Sequence, residues 1–488
     1  MRRNFLRKHS PDDGTAGSRA AGAGDAGDHA GPSFYTGDLK DAGHFDNTEL
    51  RPGQQVADTT LDHPDTRRDG RVRILVVIVA TVVLGLAVGA GAGLLTELLY
   101  GIEHCFLGFV ESPDLPGPFE TDWRRRFLSV VVAAVVAAVL WYLLRTKTKK
   151  VPSVGQAFRG ALMPVWQTVV HVLLQIFIVG AGLSVGREVA PRELGSMFAQ
   201  RVGSWLRVRE SDLHLLVAIA AGAGIGGVYN APLAGAFFAI EILMVDVTVG
   251  RVALAFGCSA LAAWTASLIK GTHTFYVMGT VDALYSPDLM LYAVPAGIVL
   301  GLLGMWFRRG AQWAERRKAS DRSILWMLPL AGLVTGVVAI WVPQVMGNGR
   351  ATAQIAFSGT PTMSLIPLLL LSFVAKALVT LFTIRSGASG GVLTPGIALG
   401  SSMGCILGIL WMQLAGTNSI GVYALMGACA LLSASQNAPL MAMSLVMELT
   451  EAPLNLFIPV AWISIVAVLT AKITEHWHDS PAKTLLGD

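Results

Sequence analysis

Residues 230–233 and 437–440 both read Asn-Ala-Pro-Leu, and a glutamate follows each asparagine by eleven positions, Glu241 in one case and Glu448 in the other (241 − 230 and 448 − 437). Upstream, VAPRELGSM around Pro191 is echoed by LTPGIALGSSM around Pro395, and the proline precedes its asparagine by 39 residues in one copy and 42 in the other (230 − 191 and 437 − 395). Agreement of four spaced features marks an internal duplication. A duplicated chain folds as two similar units, and when such units each carry an interrupted helix their shared site lies where they meet.

The medium follows from composition. Of 488 residues 53% are hydrophobic and only 14% charged, against about 25% charged in soluble domains. Roughly ten apolar stretches approach or exceed the ~20 residues that cross a bilayer. The expected fold is all-α, a polytopic membrane protein of two inverted-topology repeats whose tilted and broken helices meet at a midplane site. The repeats are expected at about 72–270 and 285–475 within a membrane domain spanning 72–475. Residues 1–71, polar and without sustained periodicity, read as a disordered cytoplasmic tail, and their basic start lacks the apolar core of a signal peptide. Residues 476–488 read as a short tail with no soluble regulatory domain.

Arg67, Arg68, Arg71 and Arg73 precede the first apolar stretch, and Lys147, Lys149 and Lys150 follow the second. Both clusters place their side in the cytoplasm by the positive-inside rule, outvoting Arg124, Arg125 and Arg126 on the other side. The N- and C-termini are therefore expected in the cytoplasm and the protein in the plasma (inner) membrane. A net charge of +4, concentrated outside the apolar segments, argues orientation and gives no reason to expect nucleic acid. The four cysteines, Cys105, Cys258, Cys405 and Cys429, are scattered without disulfide or metal spacing, and no metal or cofactor is expected.

Charge inside the apolar region is concentrated in GAGLSVGREVAPRELG, residues 180–195. Ionisable groups at membrane depth cost roughly 2.5–3.5 kcal/mol each on insertion scales unless they meet a cavity, a partner or an ion, so Glu188 reads as functional. Gly180, Gly182 and Gly186 permit a broken backbone, and Pro191 suits the first turn of a new helix. A carboxylate at such a break stands at a helix N-terminus, the usual place for an anion site. The plainer alternative is that Glu188 caps that helix; a carboxylate in an anion site is itself an anion, so both can hold. The duplication sorts the other acids. Glu241 and Glu448 occupy equivalent places and suit a shared structural role, satisfying donors within each half, whereas Glu188 faces a neutral counterpart, SGASGGVLTPG. Ser153, in a Pro-Ser-Val-Gly turn, reads as a helix cap or a hydroxyl donor.

These motifs resemble the CLC family of chloride channels and chloride/proton exchangers. GREVAP at Gly186–Pro191 resembles the family's GREGP, GGVLTP at Gly390–Pro395 its GGxFxP, and VPSVGQ at Val151–Gln156, more weakly, its GSGIPE; the two NAPL segments fall where the family has its own. The resemblance covers residues 74–486. It implies that Glu188 is a gating carboxylate in the outer anion site, displaced when chloride enters or when it is protonated. It further implies that the Ser153 hydroxyl contacts a central chloride, that Gly186, Arg187 and the backbone at Val392 and Leu393 line the anion pathway, and that two copies form a homodimer with one pathway each.

Three departures bear on mechanism. Exchangers of the family carry a second glutamate directly after the one matching Glu241, where this chain has Ile242; Asp246, one turn on, is a candidate replacement in a proton path from Glu188. No tyrosine follows Tyr423, so the family's pore tyrosine is missing, and DSPAKTLL fills that region. Leu393 stands where the family has phenylalanine. Channel and exchanger both remain open, as does preference for fluoride or nitrate over chloride. An enzyme is not expected, because the histidines, His171 among them, are dispersed.

Overall fold

The computed structural model describes residues 70–244, 246–279, 286–415 and 419–479. The expected N-terminal tail through residue 69, Arg67 and Arg68 with it, and the last nine residues of the expected C-terminal tail lie outside them.

Every regular element among the described residues is helical, as befits segments that must satisfy their backbone hydrogen bonds without water. In order they are α1 (Gly70–Leu107), α2 (Trp123–Lys147), α3 (Val154–Phe158), α4 (Val165–Gly180), α5 (Val189–Trp205), α6 (Glu210–Tyr229), α7 (Pro232–Phe238, running into a π turn Ala239–Leu243) and α8 (Val249–Lys270). The same order then recurs: α9 (Pro287–Arg316), α10 (Ile324–Trp341), the short α11 (Arg350–Ser358), α12 (Leu365–Arg385), α13 (Leu393–Met412), α14 (Ile420–Gln436), α15 (Pro439–Thr450) and α16 (Phe457–Asp479). Eight helices match eight, in register with the repeated motifs. Nine helices among the described residues are long and apolar enough to cross a membrane, so this is an all-α, polytopic membrane fold.

Helix length sets inclination. At 1.5 Å per residue the 38 residues of α1 extend about 57 Å, nearly twice a ~30 Å hydrocarbon layer, so α1 must tilt steeply. α4 and α14, at 16 and 17 residues, fall short of a full crossing and have to be completed by neighbours. Two helices were not legible as apolar stretches: α5, whose first turns carry Arg192 and Glu193, and α11, whose sequence RATAQIAFS is too short and polar.

The repeat is reproduced in backbone detail. α6 and α14 both end on an asparagine in the left-handed region, Asn230 at φ 53° and Asn437 at φ 52°, a conformation that asparagine tolerates better than most residues. A proline then opens α7 and α15 at a position where its missing N–H is not needed. α5 closes on α6 at Gly195, where a Cβ would lie 2.3 Å from the Ala220 carbonyl oxygen, and α13 closes on α14 at Gly400, 2.5 Å from that of Gly427. These contacts put α5, α6, α13 and α14 at the centre. In the most apolar windows of α6 and α13, 78% and 83% of residues are buried, against 28% for α12, which shows most of its window outward.

Candidate functional site

Two helix starts meet at the centre. α4 ends at Gly180, and the chain crosses to α5 through residues 181–188, with Gly182 at φ 103°; α12 ends at Arg385, and the chain reaches α13 through residues 386–392, with Gly387 at φ 111°. The two crossings touch in a single antiparallel bridge, Gly186 N–H to Gly391 O and Gly391 N–H to Gly186 O, each 2.8 Å. Neither glycine could be replaced without conflict. A Cβ on Gly186 would stand 2.2 Å from Glu188 Oε2, and one on Gly391 2.0 Å from Glu188 Oε1.

Glu188, fully buried, occupies the N-cap position of α5, yet its side chain makes no bond to the amides of that helix. It crosses to the other half. Oε1 accepts the Leu393 N–H at 2.5 Å, in the first turn of α13, and Oε2 accepts the Thr394 hydroxyl at 3.1 Å and the Tyr229 hydroxyl at 3.5 Å. Tyr229 Oη and Thr394 Oγ1 are themselves 2.9 Å apart. The carboxylate thus fills a nest of amide and hydroxyl donors at a positive helix end, which is the chemistry of an anion site. Lys376, buried on α12, is held by its own bonds, with Nζ donating to Val345 O (2.9 Å) and Gly347 O (2.7 Å).

A cavity lies on each side of this nest. One, about 540 Å³, is lined by Ser153, Val189, Arg192, Glu193 and Val392. The other, about 570 Å³, is lined by Arg187, Tyr229, Lys270, Phe275, Arg350 and Glu111. Arg187 and Val189, the two chain neighbours of Glu188, therefore line opposite cavities while Glu188 itself stands between them. In the second cavity Arg187 lies 3.1 Å from Glu111 Oε1, with Arg350 3.6 Å from the same oxygen, and both guanidinium groups stack over Phe275. The Arg187 guanidinium borders this cavity and lies 5.5 Å over the ring of Tyr229.

Ser153 caps α3: its Oγ accepts the Gln156 N–H at 3.3 Å, and Gln156 Oε1 accepts the Ser153 N–H at 3.0 Å. A hydroxyl used as an acceptor keeps its O–H for donation, and this one borders the first cavity.

The paired acids bond across the repeat boundary rather than within each half. Glu241 accepts the N–H groups of Leu440 (3.0 Å) and Met441 (2.7 Å) at the start of α15, and Glu448 accepts those of Leu233 and Ala234 (both 2.9 Å) at the start of α7. Asp246 sits on the surface, its side chain 79% exposed and 3.6 Å from Arg251, and it lines neither cavity. Ile242 and Leu393 are buried. Of DSPAKTLL, all but the leading Asp479 lies outside the described residues.

Sequence reasoning missed Tyr229 and Thr394, although the first sits beside a motif it used and the second inside one. The signal was present in the duplication, for Tyr229 precedes Asn230 where the second half has Gln436.

The sequence matches the family described as voltage gated chloride channel over residues 128–472. It is 30% identical over 342 residues to a protein of Salmonella typhi named voltage-gated ClC-type chloride channel ClcB, covering 68% of this chain and 80% of that one. A protein of Cronobacter sakazakii named H(+)/Cl(-) exchange transporter ClcA is 27% identical over 401 residues, covering 78% and 82%. Among solved structures, a slow cyanobacterial Cl-/H+ antiporter aligns with a TM-score of 0.67 at 23% identity, covering 82% of this chain and 95% of that one. A CLC-type fluoride/proton antiporter aligns at 0.61 and 22% identity, covering 81% and 96%; at these identities the likeness is one of fold. With most of its length matched by the family and its helices in that arrangement, the chain belongs to the CLC family of voltage-gated chloride channels.

Proposed function

We propose that this protein moves chloride across a membrane through a conduit joining the Ser153 cavity to the Arg187 cavity, with Glu188 as its gate. One observation carries the reading: a carboxylate, itself an anion, fills the donor nest between two cavities. The donors that hold it suit a halide equally well. When Glu188 is protonated it loses the charge that made it a competitor, and chloride takes over the Leu393 amide and the Thr394 hydroxyl. On the other side, the Ser153 hydroxyl and the backbone at Val392 receive the ion next. Dipoles rather than a cation in contact make these stations, so an anion binds without being trapped.

Protonation of the gate also supplies half of a chloride/proton exchange. The other half is a proton route through the Ser153 cavity. We place that cavity toward the cytoplasm, because Lys147, Lys149 and Lys150 flank its Val151 wall and Arg316 and Lys318 line it. The reading puts the protein in the plasma membrane with both termini inside. The family resemblance supports a homodimer with one conduit per copy, and transport rather than enzymatic turnover. Fluoride or nitrate is the alternative cargo, since the same donors accept any small anion.

The test is chloride efflux from proteoliposomes. Wild-type flux rises as the medium is acidified from about pH 7.5 to about pH 4.5, toward the reference value of about 4.3 for a glutamate side chain. Glu188→Gln and Glu188→Ala give flux that is high and flat across that range. Acid activation surviving in either variant rules out Glu188 as the gate. Competition of labelled chloride with fluoride, nitrate and bromide ranks the cargo.

A further inference from the structure

The Ser153 cavity holds a buried acid that the gate does not use. Glu193 lies on α5, five residues beyond Glu188, so the two carboxyl-bearing positions are about 7.5 Å apart along the helix axis. Val189 and Arg192, between them, line the same cavity as Glu193. α13, the equivalent helix of the second half, carries no charged residue at all. Glu193 is thus an unmatched acid in a duplicated frame, as Glu188 is.

Its partners are arranged around a proton. Glu193 Oε2 accepts the Gln175 amide N–H at 2.6 Å, while Gln175 Oε1, fully buried, has no hydrogen-bond partner. A carboxylic acid and a primary amide form two parallel hydrogen bonds, N–H to acid oxygen and acid O–H to amide oxygen, and the second exists only when the acid is protonated. Protonation of Glu193 would supply an O–H donor of the kind that the unpartnered Gln175 oxygen lacks. His171 Nε2 lies 3.7 Å from the same Oε2. Its Nδ1 accepts the Trp141 indole N–H at 3.0 Å, so neutral His171 carries its proton on Nε2, toward Glu193.

We propose that Glu193, set in place by His171 and Gln175, is the inward proton station of this chain, and that its presence makes the protein a chloride/proton exchanger although Ile242 replaces the usual inner glutamate. The inference rests on the gate reading of Glu188. The ionised Glu193 carboxylate takes a proton from a hydronium of the cavity, releasing water; the resulting acid returns that proton to a cavity water on the Glu188 side, which delivers it to the Glu188 carboxylate. No electron moves and no bond other than O–H changes. The charged groups facing Glu193 are Arg192 on its own helix, Arg145 from α2, Glu315 and Arg316 from α9, and Lys318 beyond it. α3 adds only Val154 and Gly155 to the lining, and α1 and α6 add nothing. Four cations against two acids draw chloride into the chamber where the proton is loaded, so both cargoes meet on one side of the gate. Asp246, exposed and outside the cavity, has no such path.

The experiment is paired recording of chloride efflux and proton uptake in proteoliposomes under an outward chloride gradient. Wild type moves protons uphill. Glu193→Gln lowers the ratio of protons moved to chloride moved by at least about tenfold, and Glu193→Asp restores that ratio in part. A structural role alone would lower both fluxes together. Proton movement in Glu193→Gln equal to wild type overturns the proposal, and so does a wild type that dissipates chloride without moving protons. If Glu193→Gln carries neither ion, Glu193→Asp decides: coupled flux with a displaced dependence on interior pH upholds the station, and an unchanged dependence overturns it. Glu188→Gln, with Glu193 intact, reports on the gate separately, because acid activation persisting there sinks the gate reading whatever Glu193 does.

Discussion

The carboxylate of Glu188 accepts the backbone amide of Leu393 at 2.5 Å, joining the start of α5 in one half of the chain to the start of α13 in the other. Three donors converge on that carboxylate, one amide and two hydroxyls. A hydrogen bond to a charged acceptor contributes about 1.5–3 kcal/mol, enough to hold the side chain in the nest and little enough for an ion to displace it.

Thr394→Val tests the strength of that hold. The substitution keeps the shape and removes the hydroxyl 3.1 Å from Oε2. Losing a donor to the charged form makes that form less favourable, so protonation, and with it flux, sets in at higher pH. The midpoint of acid activation therefore moves up. Tyr229→Phe, whose hydroxyl stands at 3.5 Å, moves it less. Chloride efflux measured against pH for the two variants gives the order, and a larger shift from Tyr229→Phe would contradict it.

Gly391→Ala tests the fit of the nest. The added Cβ would lie 2.0 Å from Glu188 Oε1, and a contact that close forces one of the two to move. The carboxylate is expelled, chloride flux loses its acid activation, and thermal stability in detergent falls by about 1–3 kcal/mol, the usual cost of overpacking. Adding Glu188→Ala removes the atoms that clash, so the double variant recovers most of the lost stability. A double variant no more stable than Gly391→Ala would show that the strain lies in the backbone bridge instead.

Much of this was legible in the linear chain and some was not, for a physical reason. The duplication shows in short spaced motifs, because a left-handed asparagine followed by a helix-opening proline needs those residues locally, as Asn230–Pro232 and Asn437–Pro439 demonstrate. Glu188 stands out because charge is costly where it lies. What faces Glu188 is another matter: Leu393 and Thr394 are 205 and 206 positions away, and nothing local to either end specifies the meeting. For the same reason the glutamates of the two NAPL segments could be recognised as equivalent without showing that each serves the opposite half. Glu193 was passed over in the sequence, because its partners His171 and Gln175 come from a separate helix, α4, and an isolated histidine in an apolar segment looks like packing.

The reciprocal caps make the last prediction. Glu241 holds the first amides of α15 and Glu448 those of α7, so each half fastens the other's short helix. α7 has only seven residues before its π turn, and a helix so short depends on capping and tertiary contacts to persist. Glu241→Gln and Glu448→Gln each replace a carboxylate that accepts two N–H bonds with an amide that offers only one oxygen. Each should lower stability by about 1–3 kcal/mol, seen as an earlier thermal transition in detergent, and the two losses should be similar because the geometry is. Neither carboxylate touches Glu188 or lines a cavity, so the pH profile of chloride flux in the folded fraction should stay where it is. A shifted profile without loss of stability would show instead that these acids act on the ion path itself.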